Sequence, residues 1–344
     1  MKRTALILLL VLVALLAGGA AFVHWVRLTM DRPAALSAPL VYTIPPHARI
    51  KQVAADLHTR GVVEHPRLWR LYARWQGLAS QIKAGEYAIA PGSTPKKLLE
   101  QLVAGQVLLH SFTIVDGWQV RDLLAALRHS AEVRRTLPEN PADLLQRLGL
   151  PAGPAEGQFL PETYKFPAGT TDVALLGLAH AALVKELAAA WAGRDPSLPL
   201  RSPQELLILA SIVEKETALP AERARIAGVY VQRLQTGMRL QADPTVIYGL
   251  GERYDGDIRS ADLRTDGPYN TYTRAGLPPT PIALPGLASL RATAKPEMTG
   301  ELYFVASGVG DGSHVFSKTY EEHSRAVARY LTISRRRAAR ADSP

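Results

Sequence analysis

The 344-residue sequence has no cysteine, and only 7% of its residues are aromatic. The lack of cysteine excludes disulfides, thiolate metal sites, redox CxxC chemistry and a cysteine nucleophile. Charged residues make up only 21% of the chain, beside 47% hydrophobic residues, and this balance argues against intrinsic disorder. The chain is long enough for two folded domains, neither of which can depend on a disulfide framework.

Acidic residues are also in the minority: 40 basic and 31 acidic residues give a net charge of +9. A positive net charge favours an anionic neighbour. Nucleic acid is one candidate, and anionic lipid or cell-wall polymer is the other. Composition alone does not choose between them.

A large share of the aliphatic residues forms one block near the start of the chain. Residues 4–23 carry no charge, and at ~1.5 Å rise per helical residue they span a ~30 Å hydrocarbon core. The small residues at 18–21 leave a cleaved signal peptide as the alternative. The apolar region of a signal peptide normally has roughly 7–15 residues, so the length favours an uncleaved membrane anchor.

Lys2 and Arg3 precede this block and predict its orientation, because positive charge favours the cytoplasmic side. We expect a single-pass membrane protein with a cytoplasmic N-terminus, whose residues from about 30 onward lie outside the membrane. A second apolar run of comparable length is not expected. This orientation argues against nucleic acid as a partner, and the lack of cysteine is compatible with an oxidising envelope compartment.

The sequence after the anchor predicts an α+β protein. Residues 41–107 follow a pattern of strand, two helices, strand and helix, in which Ser93 caps the last helix and Gly105 follows it. This order is similar to a LysM-like sugar-binding module, and a purely structural αβ subdomain is the alternative. The predicted division is an N-terminus and transmembrane anchor over 1–30, a tether over 31–40, the LysM-like module over 41–107, a connecting region over 108–200, a catalytic domain over 201–334 and a basic tail over 335–344.

Two features near the C-terminus have ordinary structural interpretations. The glycine-rich segment 308–312 follows an apolar strand but leads into no helix, which predicts a hairpin turn and not a phosphate-binding loop. A helix over about 319–331 precedes three consecutive arginines at 335–337. These form either a solvated tail or a contact with lipid headgroups or acidic wall polymer.

A predicted helix over 206–218 carries two carboxylates near its end. Glu214 and Glu216 are two positions apart, so they lie on nearly opposite sides of the helix and cannot form the facing carboxylate pair of an ordinary glycosidase. A single general acid is compatible with these two positions, because partial desolvation at a groove raises the pKa of a carboxyl such as Glu216. By position alone, solvated acids paired with Lys215 or Arg223 are the better interpretation.

The loops after this helix combine tyrosine, asparagine and glutamine. These side chains suit a sugar groove, because they present flat apolar faces to pyranose rings and hydrogen-bonding edges to hydroxyls. Ordinary turn chemistry with half-buried tyrosines is the alternative. The stretches are 240–249, 269–273 and 276–279.

Together with the glutamate helix, these stretches resemble the endolytic murein transglycosylase (YceG-like) family over nearly the whole chain. The resemblance implies an enzyme that is anchored in the inner (plasma) membrane and has a lysozyme-like, periplasmic C-terminal catalytic domain. Such an enzyme cleaves nascent peptidoglycan strands internally, between N-acetylmuramic acid and N-acetylglucosamine. A non-catalytic scaffold that binds the cell wall is the alternative, and an association with peptidoglycan synthases is implied by the family only. The matching stretches are 156–164, 211–217, 240–249, 269–273, 276–279 and 302–306.

The resemblance also implies a site. Glu216, Thr217 and Ala218 stand in register with the Glu-Ser-Ala pattern of lysozyme-like lytic transglycosylases, which makes Glu216 the catalytic candidate and Glu214 the reserve. Glu216 would first protonate the glycosidic oxygen and then accept the proton of the muramic acid C6 hydroxyl, which leaves a 1,6-anhydro end. This chemistry needs no metal and no cofactor. The substrate-binding candidates are Gln241, Asp243, Tyr269, Asn270 and Tyr272.

Overall fold

The computed structural model describes residues 2–138 and 143–341, and it combines α-helices with short β-strands. This confirms a mixed helix and strand fold. The chain forms two compact units: the first comprises Met1–His110 and Lys165–Gly169, and the second comprises Ser111–Tyr164 and Thr170–Pro344. Residues 139–142 of the predicted connecting region and 342–344 of the predicted tail lie outside the described residues.

The first helix, α1 (Lys2–Met30), coincides with the predicted anchor. Its portion Leu6–Met30 is long and apolar enough to cross a membrane, which is compatible with a single-pass anchor. At the other end of the helix, Met30 is buried in the core of the first unit and Val26 packs against the same core. The last turns of α1 are therefore part of the first unit.

The remainder of the first unit follows the strand and helix order that the sequence pattern predicts. β1 and β2 pair antiparallel, with Tyr42 opposite Tyr87. Fully buried Trp69 donates its indole N–H to the carbonyl oxygen of Pro95 at 2.9 Å, which satisfies its only polar atom. The likeness to a LysM module stays a prediction. The elements are β1 (Leu40–Ile44), α2 (Ile50–Thr59), α3 (Pro66–Trp75), β2 (Gly85–Ile89) and α4 (Pro95–Ala104).

The N-terminal cap of α4 differs from the expectation by one residue. Thr94, and not Ser93, is the cap, because its hydroxyl accepts the backbone N–H of Lys97 at 3.2 Å. The predicted end at Gly105 is confirmed, since this residue has the left-handed φ of 71° that commonly follows a helix.

Two further strands, β3 (Leu109–Thr113) and β4 (Thr163–Pro167), pair in a second two-stranded sheet. The boundary between the two units falls within both strands.

The second unit is mainly helical. Its helices surround a core to which residues from 160 to 294 contribute. The 3₁₀ turns Pro220–Glu222 and Gly251–Arg253 precede and follow two of the helices. The helices are α5 (Val120–His129), α6 (Leu144–Arg147), α7 (Asp172–Ala192), α8 (Pro203–Glu216), α9 (Arg223–Gln235), α10 (Asp243–Leu250), α11 (Ser260–Arg264) and α12 (Leu287–Ala294).

Helix α7 corrects the expectation that no second apolar run follows the anchor. By length and composition it, too, is apolar enough to cross a membrane. It nevertheless buries Leu175, Leu176, Ala179 and Leu183 within the folded protein. Alanine and leucine give a long apolar helix in a core as well as in a bilayer, so composition alone did not exclude it.

Helix α8 lies at the centre of the second unit and packs against α7, α9 and α12. Every residue from 206 to 213 is buried, whereas the sequence predicted a single apolar stripe. Helices on several sides bury the whole circumference, which leaves the charged groups of α8 only near its ends. The helix ends at Glu216, two residues before the predicted end, and Thr217 is extended with φ −144° and ψ 137°.

The C-terminal part forms a hairpin and a long helix. β5 (Tyr303–Ala306) and β6 (His314–Ser317) pair antiparallel, which confirms the predicted turn at 308–312. Helix α13 (Tyr320–Ala341) continues ten residues beyond the predicted end at 331. The arginines at 335–337 are therefore helical and do not begin an irregular tail.

Candidate active site

Glu216 is the last residue of α8, where the buried helix reaches the surface of the second unit. The hydroxyl of Tyr230, from α9, donates a hydrogen bond to its Oε1 atom. Burial raises the pKa of the Glu216 carboxyl to about 7, although the Tyr230 hydrogen bond acts in the opposite direction. A carboxyl with a pKa near neutrality can exist in both protonation states, as a group that acts first as acid and then as base requires.

Tyr230 was not singled out in the sequence. It is fully buried, and its ring meets the ring of Phe304 edge to face at a centroid distance of 5.9 Å. Burial, with the charge of Glu216 next in importance, raises the pKa of the Tyr230 phenol well above its usual value, so it stays a hydrogen-bond donor. The sequence signal that could have identified Tyr230 is its place in the next helix after the glutamates, on a face rich in aliphatic residues.

Arg233, one turn beyond Tyr230 on α9, places a buried positive charge in the same site. Its Nε donates to the carbonyl oxygen of Leu302 at 2.7 Å, and Nη1 donates to that of Leu240 at 2.5 Å. No carboxylate in the described part of the chain forms an ion pair with it. Its charge therefore acts at longer range, and it lowers the pKa of Glu216.

The structure brings two of the predicted substrate-binding residues to this site. The Tyr272 hydroxyl donates to Oδ1 of Asp243 at 2.5 Å. The charge of Asp243 contributes to the raised pKa of Glu216, and Glu216 in turn contributes to a raised pKa of Tyr272, for which burial is the main cause. Glu216, Asp243 and Tyr272 thus form one electrostatically linked cluster around the end of α8.

Gln241 and Asn270 support the loops that carry these groups. Gln241 has a left-handed φ of 50°, and its backbone N–H donates to the carbonyl oxygen of Thr271 at 3.1 Å. Asn270 is only 6% exposed, and its side-chain oxygen accepts the N–H of Tyr272 at 2.9 Å. Its amide nitrogen donates to the carbonyl oxygens of Asp262, Leu263 and Thr265.

Glu214 has a different environment from Glu216. Its Oε1 accepts from Arg223 at 3.3 Å and its Oε2 accepts the backbone N–H of Gly286 at 3.0 Å. The side chain is only 5% exposed, so the expected pairing with Arg223 occurs in the interior and not in solvent. Because both carboxylate oxygens already have donors, Glu214 is suited to hold the loop before α12.

A second buried carboxyl, Glu156, forms a neighbouring cluster with the fifth candidate, Tyr269. Glu156 accepts the N–H of Val120 at 3.1 Å and the hydroxyl of Tyr248 at 3.4 Å, and burial raises the pKa of its carboxyl to about 7. The rings of Tyr248 and Tyr269 are 4.8 Å apart, and Tyr269 shares a 2.8 Å hydrogen bond with Thr280. The sequence analysis included Glu156 in a stretch that resembles the family, but it did not predict the raised pKa of this carboxyl.

A cavity of about 510 Å³ opens beside Glu216. Thr217, Ala218 and Leu219 line one side of it, and the β5–β6 turn lines another. Residues of α13, including Arg337, complete the lining. Glu216 can therefore be reached by a large solute. Among the described residues, no three His, Asp or Glu side chains lie close enough together to hold a metal ion.

Comparisons with known proteins show what the chain is similar to. The model of the YceG-like family matches residues 42–329. An endolytic murein transglycosylase of Bacillus subtilis (strain 168) is 28% identical over 309 residues, which cover 84% of each chain. An endolytic murein transglycosylase of Streptococcus pneumoniae (strain D39) is 27% identical over 360 residues, covering 94% of this chain and 64% of that protein. A crystal structure of a YceG-like protein from Listeria monocytogenes has a TM-score of 0.50 and 26% identity, covering 83% of this chain and 98% of that one.

Proposed function

The chain belongs to the YceG-like family, and on that premise we propose that it is a membrane-anchored endolytic murein transglycosylase. Its substrate is the glycan strand of peptidoglycan, which it cleaves internally between N-acetylmuramic acid and N-acetylglucosamine. The observation that carries the proposal is Glu216, a carboxyl of pKa about 7 that ends a buried helix beside an accessible cavity.

Glu216 acts first as an acid. Since Tyr230 donates to Oε1, the proton of the neutral carboxyl resides on Oε2 and is available to the substrate. Glu216 transfers this proton to the glycosidic oxygen as the bond from that oxygen to C1 of the muramic acid breaks. The departing N-acetylglucosamine gains a hydroxyl, and C1 acquires oxocarbenium character.

Glu216 then acts as a base. The C6 hydroxyl of the same muramic acid attacks C1, and its proton returns to the Glu216 carboxylate, so the enzyme ends in its starting state. The product has a 1,6-anhydro ring, and no water is consumed. The hydroxyl belongs to the reacting sugar, so the second step has the advantage of an intramolecular reaction.

The neighbours of Glu216 adjust both steps. The Tyr230 hydrogen bond and the charge of Arg233 favour the carboxylate form that follows proton transfer. Asp243 favours the protonated form from which the reaction starts. Together they support a pKa near neutrality, at which neither form is strongly disfavoured.

The remaining predicted residues have supporting roles in this proposal. Tyr272, oriented by its bond to Asp243, is a surface for a sugar ring, and Gln241 lies on the adjoining loop. Asn270 acts by positioning Tyr272, and Tyr269 acts from the neighbouring Glu156 cluster. We also propose that α1 anchors the chain in the inner membrane, with Lys2 and Arg3 on the cytoplasmic side.

Digestion of purified glycan strands with the full-length protein in detergent tests the proposal. Mass spectrometry of the fragments should show 1,6-anhydro-muramyl ends, and Glu216→Gln should abolish them without unfolding the protein. Glu214→Gln is the matched control and should retain activity if it folds. Reducing ends in place of anhydro ends would indicate hydrolysis, and intact strands would favour a non-catalytic wall-binding scaffold.

A further inference from the structure

An apolar groove of about 550 Å³ lies in the first unit between the end of α1 and helix α3. α1 contributes Phe22, Val23 and Val26, and α3 contributes Leu71 and Trp75 to its lining. The groove also contains charged groups: Arg27 and Asp31 at the end of α1, and Lys96 in the first turn of α4.

The outward face of α3 is apolar although the helix lies on the surface of its unit. Trp69 and Ala73 point into the core, so residues half a turn away face outward. Leu71 is 55% exposed and Trp75 is 68% exposed on that side. An apolar face with tryptophan is typical of a helix at the boundary between a bilayer and water.

The position of the groove along the membrane normal agrees with this interpretation. If the uncharged run 4–23 fills a ~30 Å hydrocarbon core, Phe22 and Val23 lie at its outer edge. Arg27 follows Val23 by four residues, which places it ~6 Å further along the helix, at the level of lipid headgroups. The contacts of Met30 and Val26 with the core hold the first unit close to this level.

The charge around the groove is complementary to an anion. Its lining has two cations and one carboxylate, and the neighbouring face of α3 adds three arginines. The ion pairs among the described residues of the first unit join Glu64 to Arg32 and His65, and Glu86 to His110. None of these pairs neutralises the cations beside the groove. The unpaired cations are Arg27, Arg67, Arg70, Arg74 and Lys96.

We propose that this groove is a binding site for one anionic phospholipid of the outer leaflet of the membrane that α1 spans. An acyl chain lies along Phe22, Val23 and Leu71, and the phosphate faces Arg27 and Lys96. The inference rests on the proposed membrane anchoring but not on the catalytic activity. A bound lipid would hold the first unit against the membrane surface, since each basic residue near an anionic surface strengthens binding about fivefold.

Native mass spectrometry of the full-length protein tests the site. The protein is purified in mild detergent and mixed with equal amounts of phosphatidylglycerol and phosphatidylcholine. Two cations, each of which strengthens binding about fivefold, predict about a 25-fold excess of phosphatidylglycerol adducts on the wild-type chain. Arg27→Glu with Lys96→Glu should remove this preference, and Leu71→Ser with Trp75→Ser should reduce the adducts of both lipids.

Lys97→Glu is the matched control, because Lys97 is an exposed neighbour of Lys96 that does not line the groove. It should keep the lipid preference. Equal adducts of both lipids on the wild-type chain would overturn the proposal, as would an equal loss of preference in Lys97→Glu. A homodimer without bound lipid would also overturn it, by showing that a second copy occupies the groove.

Two parallel measurements separate the failure of this inference from the failure of the proposed function. Flotation with vesicles reports on the anchor, and 1,6-anhydro ends report on the activity. A chain that floats and cleaves but shows no lipid preference refutes the lipid site alone. A chain that floats and prefers phosphatidylglycerol but does not cleave supports the lipid site and refutes the proposed activity. A chain that does not float refutes both the anchor and the lipid site.

Discussion

The hydroxyl of Tyr230 donates a hydrogen bond to the carboxyl of Glu216, so a buried phenol on α9 directly contacts the group at the end of α8. Burial raises the pKa of this carboxyl and the bond opposes the rise, and the net value is about 7. The pair therefore links the packing of two core helices to the protonation of the proposed catalytic acid.

Tyr230→Phe should move the pH dependence of the reaction. The substitution keeps the ring but removes a bond that favours the carboxylate, so the pKa of Glu216 rises. Because the first step needs the protonated acid, kcat/KM falls as pH rises through this pKa. The alkaline limb of the profile, followed by release of anhydro fragments, should shift upward by about half a unit to one unit. An unchanged limb would show that the bond does not govern the acid.

Glu216→Gln should stabilise the protein in alkaline solution. The folded pKa of about 7 exceeds the usual 4.5, so ionised Glu216 destabilises the folded state. This penalty is absent below pH 4.5, grows between pH 4.5 and 7, and is complete above pH 7. Its removal should therefore raise the free energy of unfolding at pH 8 by about 2–3 kcal/mol and at pH 4.5 by little.

Thermal melting of both proteins at the two pH values measures this difference. Glu214→Gln is the comparison, since it weakens an ion pair with Arg223 and should lower the melting temperature at pH 8. Equal effects of the Glu216 substitution at pH 4.5 and pH 8 would contradict the raised pKa.

Asn270→Ala should reduce both stability and substrate affinity. It leaves three backbone carbonyl groups without their amide donor and the Tyr272 N–H without its acceptor, at a cost of about 2–3 kcal/mol. KM should rise because Tyr272 is displaced. Tyr272→Phe should leave the melting temperature nearly unchanged. If Asn270→Ala raised KM with unaltered stability, Asn270 would contact the sugar directly.

Glu156→Ala and Glu156→Gln should differ in stability. The alanine variant leaves the Val120 N–H and the Tyr248 hydroxyl without an acceptor, which costs about 2–4 kcal/mol. Glutamine retains an acceptor oxygen and no longer ionises in a buried position, so it should be tolerated at neutral pH. Melting curves of the two variants at pH 7 give the comparison, and equal destabilisation would contradict the assigned bonds.

Gly228→Ala should be severely destabilising, although alanine normally favours a helix. A Cβ atom at this position of α9 would overlap the backbone carbonyl of Glu297. The expected loss is about 2–4 kcal/mol. Gly177→Ala in α7 is the matched control, because nothing lies within 4 Å of its added Cβ, and it should gain about 0.5–1 kcal/mol. Chemical denaturation of both variants checks the contrast.

Local sequence patterns predicted the helices and strands of the fold better than they predicted the burial of individual side chains. The strand and helix order of the first unit, the hairpin turn at 308–312 and the helix that carries Glu216 all follow from short-range periodicity and turn residues. The complete burial of α8 did not follow, because burial on all sides depends on helices that are distant in the sequence.

In the candidate site, too, the sequence identified individual residues but not the contacts between them. The family resemblance singled out Glu216, Asp243 and Tyr272 and preferred Glu216 to Glu214, and the structure brings these three residues together. Tyr230 and Arg233 were missed, since nothing in a sequence shows which side chain of a neighbouring helix faces a given carboxyl. Asn270 was expected at the sugar, whereas its amide hydrogen-bonds to the backbone of its own loop.

The sequence by itself determined the family, the apolar N-terminal segment and the carboxylate proposed as the catalytic acid, because each is a property of residue type and order. The tertiary structure decided the pKa of that carboxylate, its hydrogen-bond donor and the pairing of Glu214 with Arg223. These depend on desolvation and on distances between groups far apart along the chain, and only folding creates either of them.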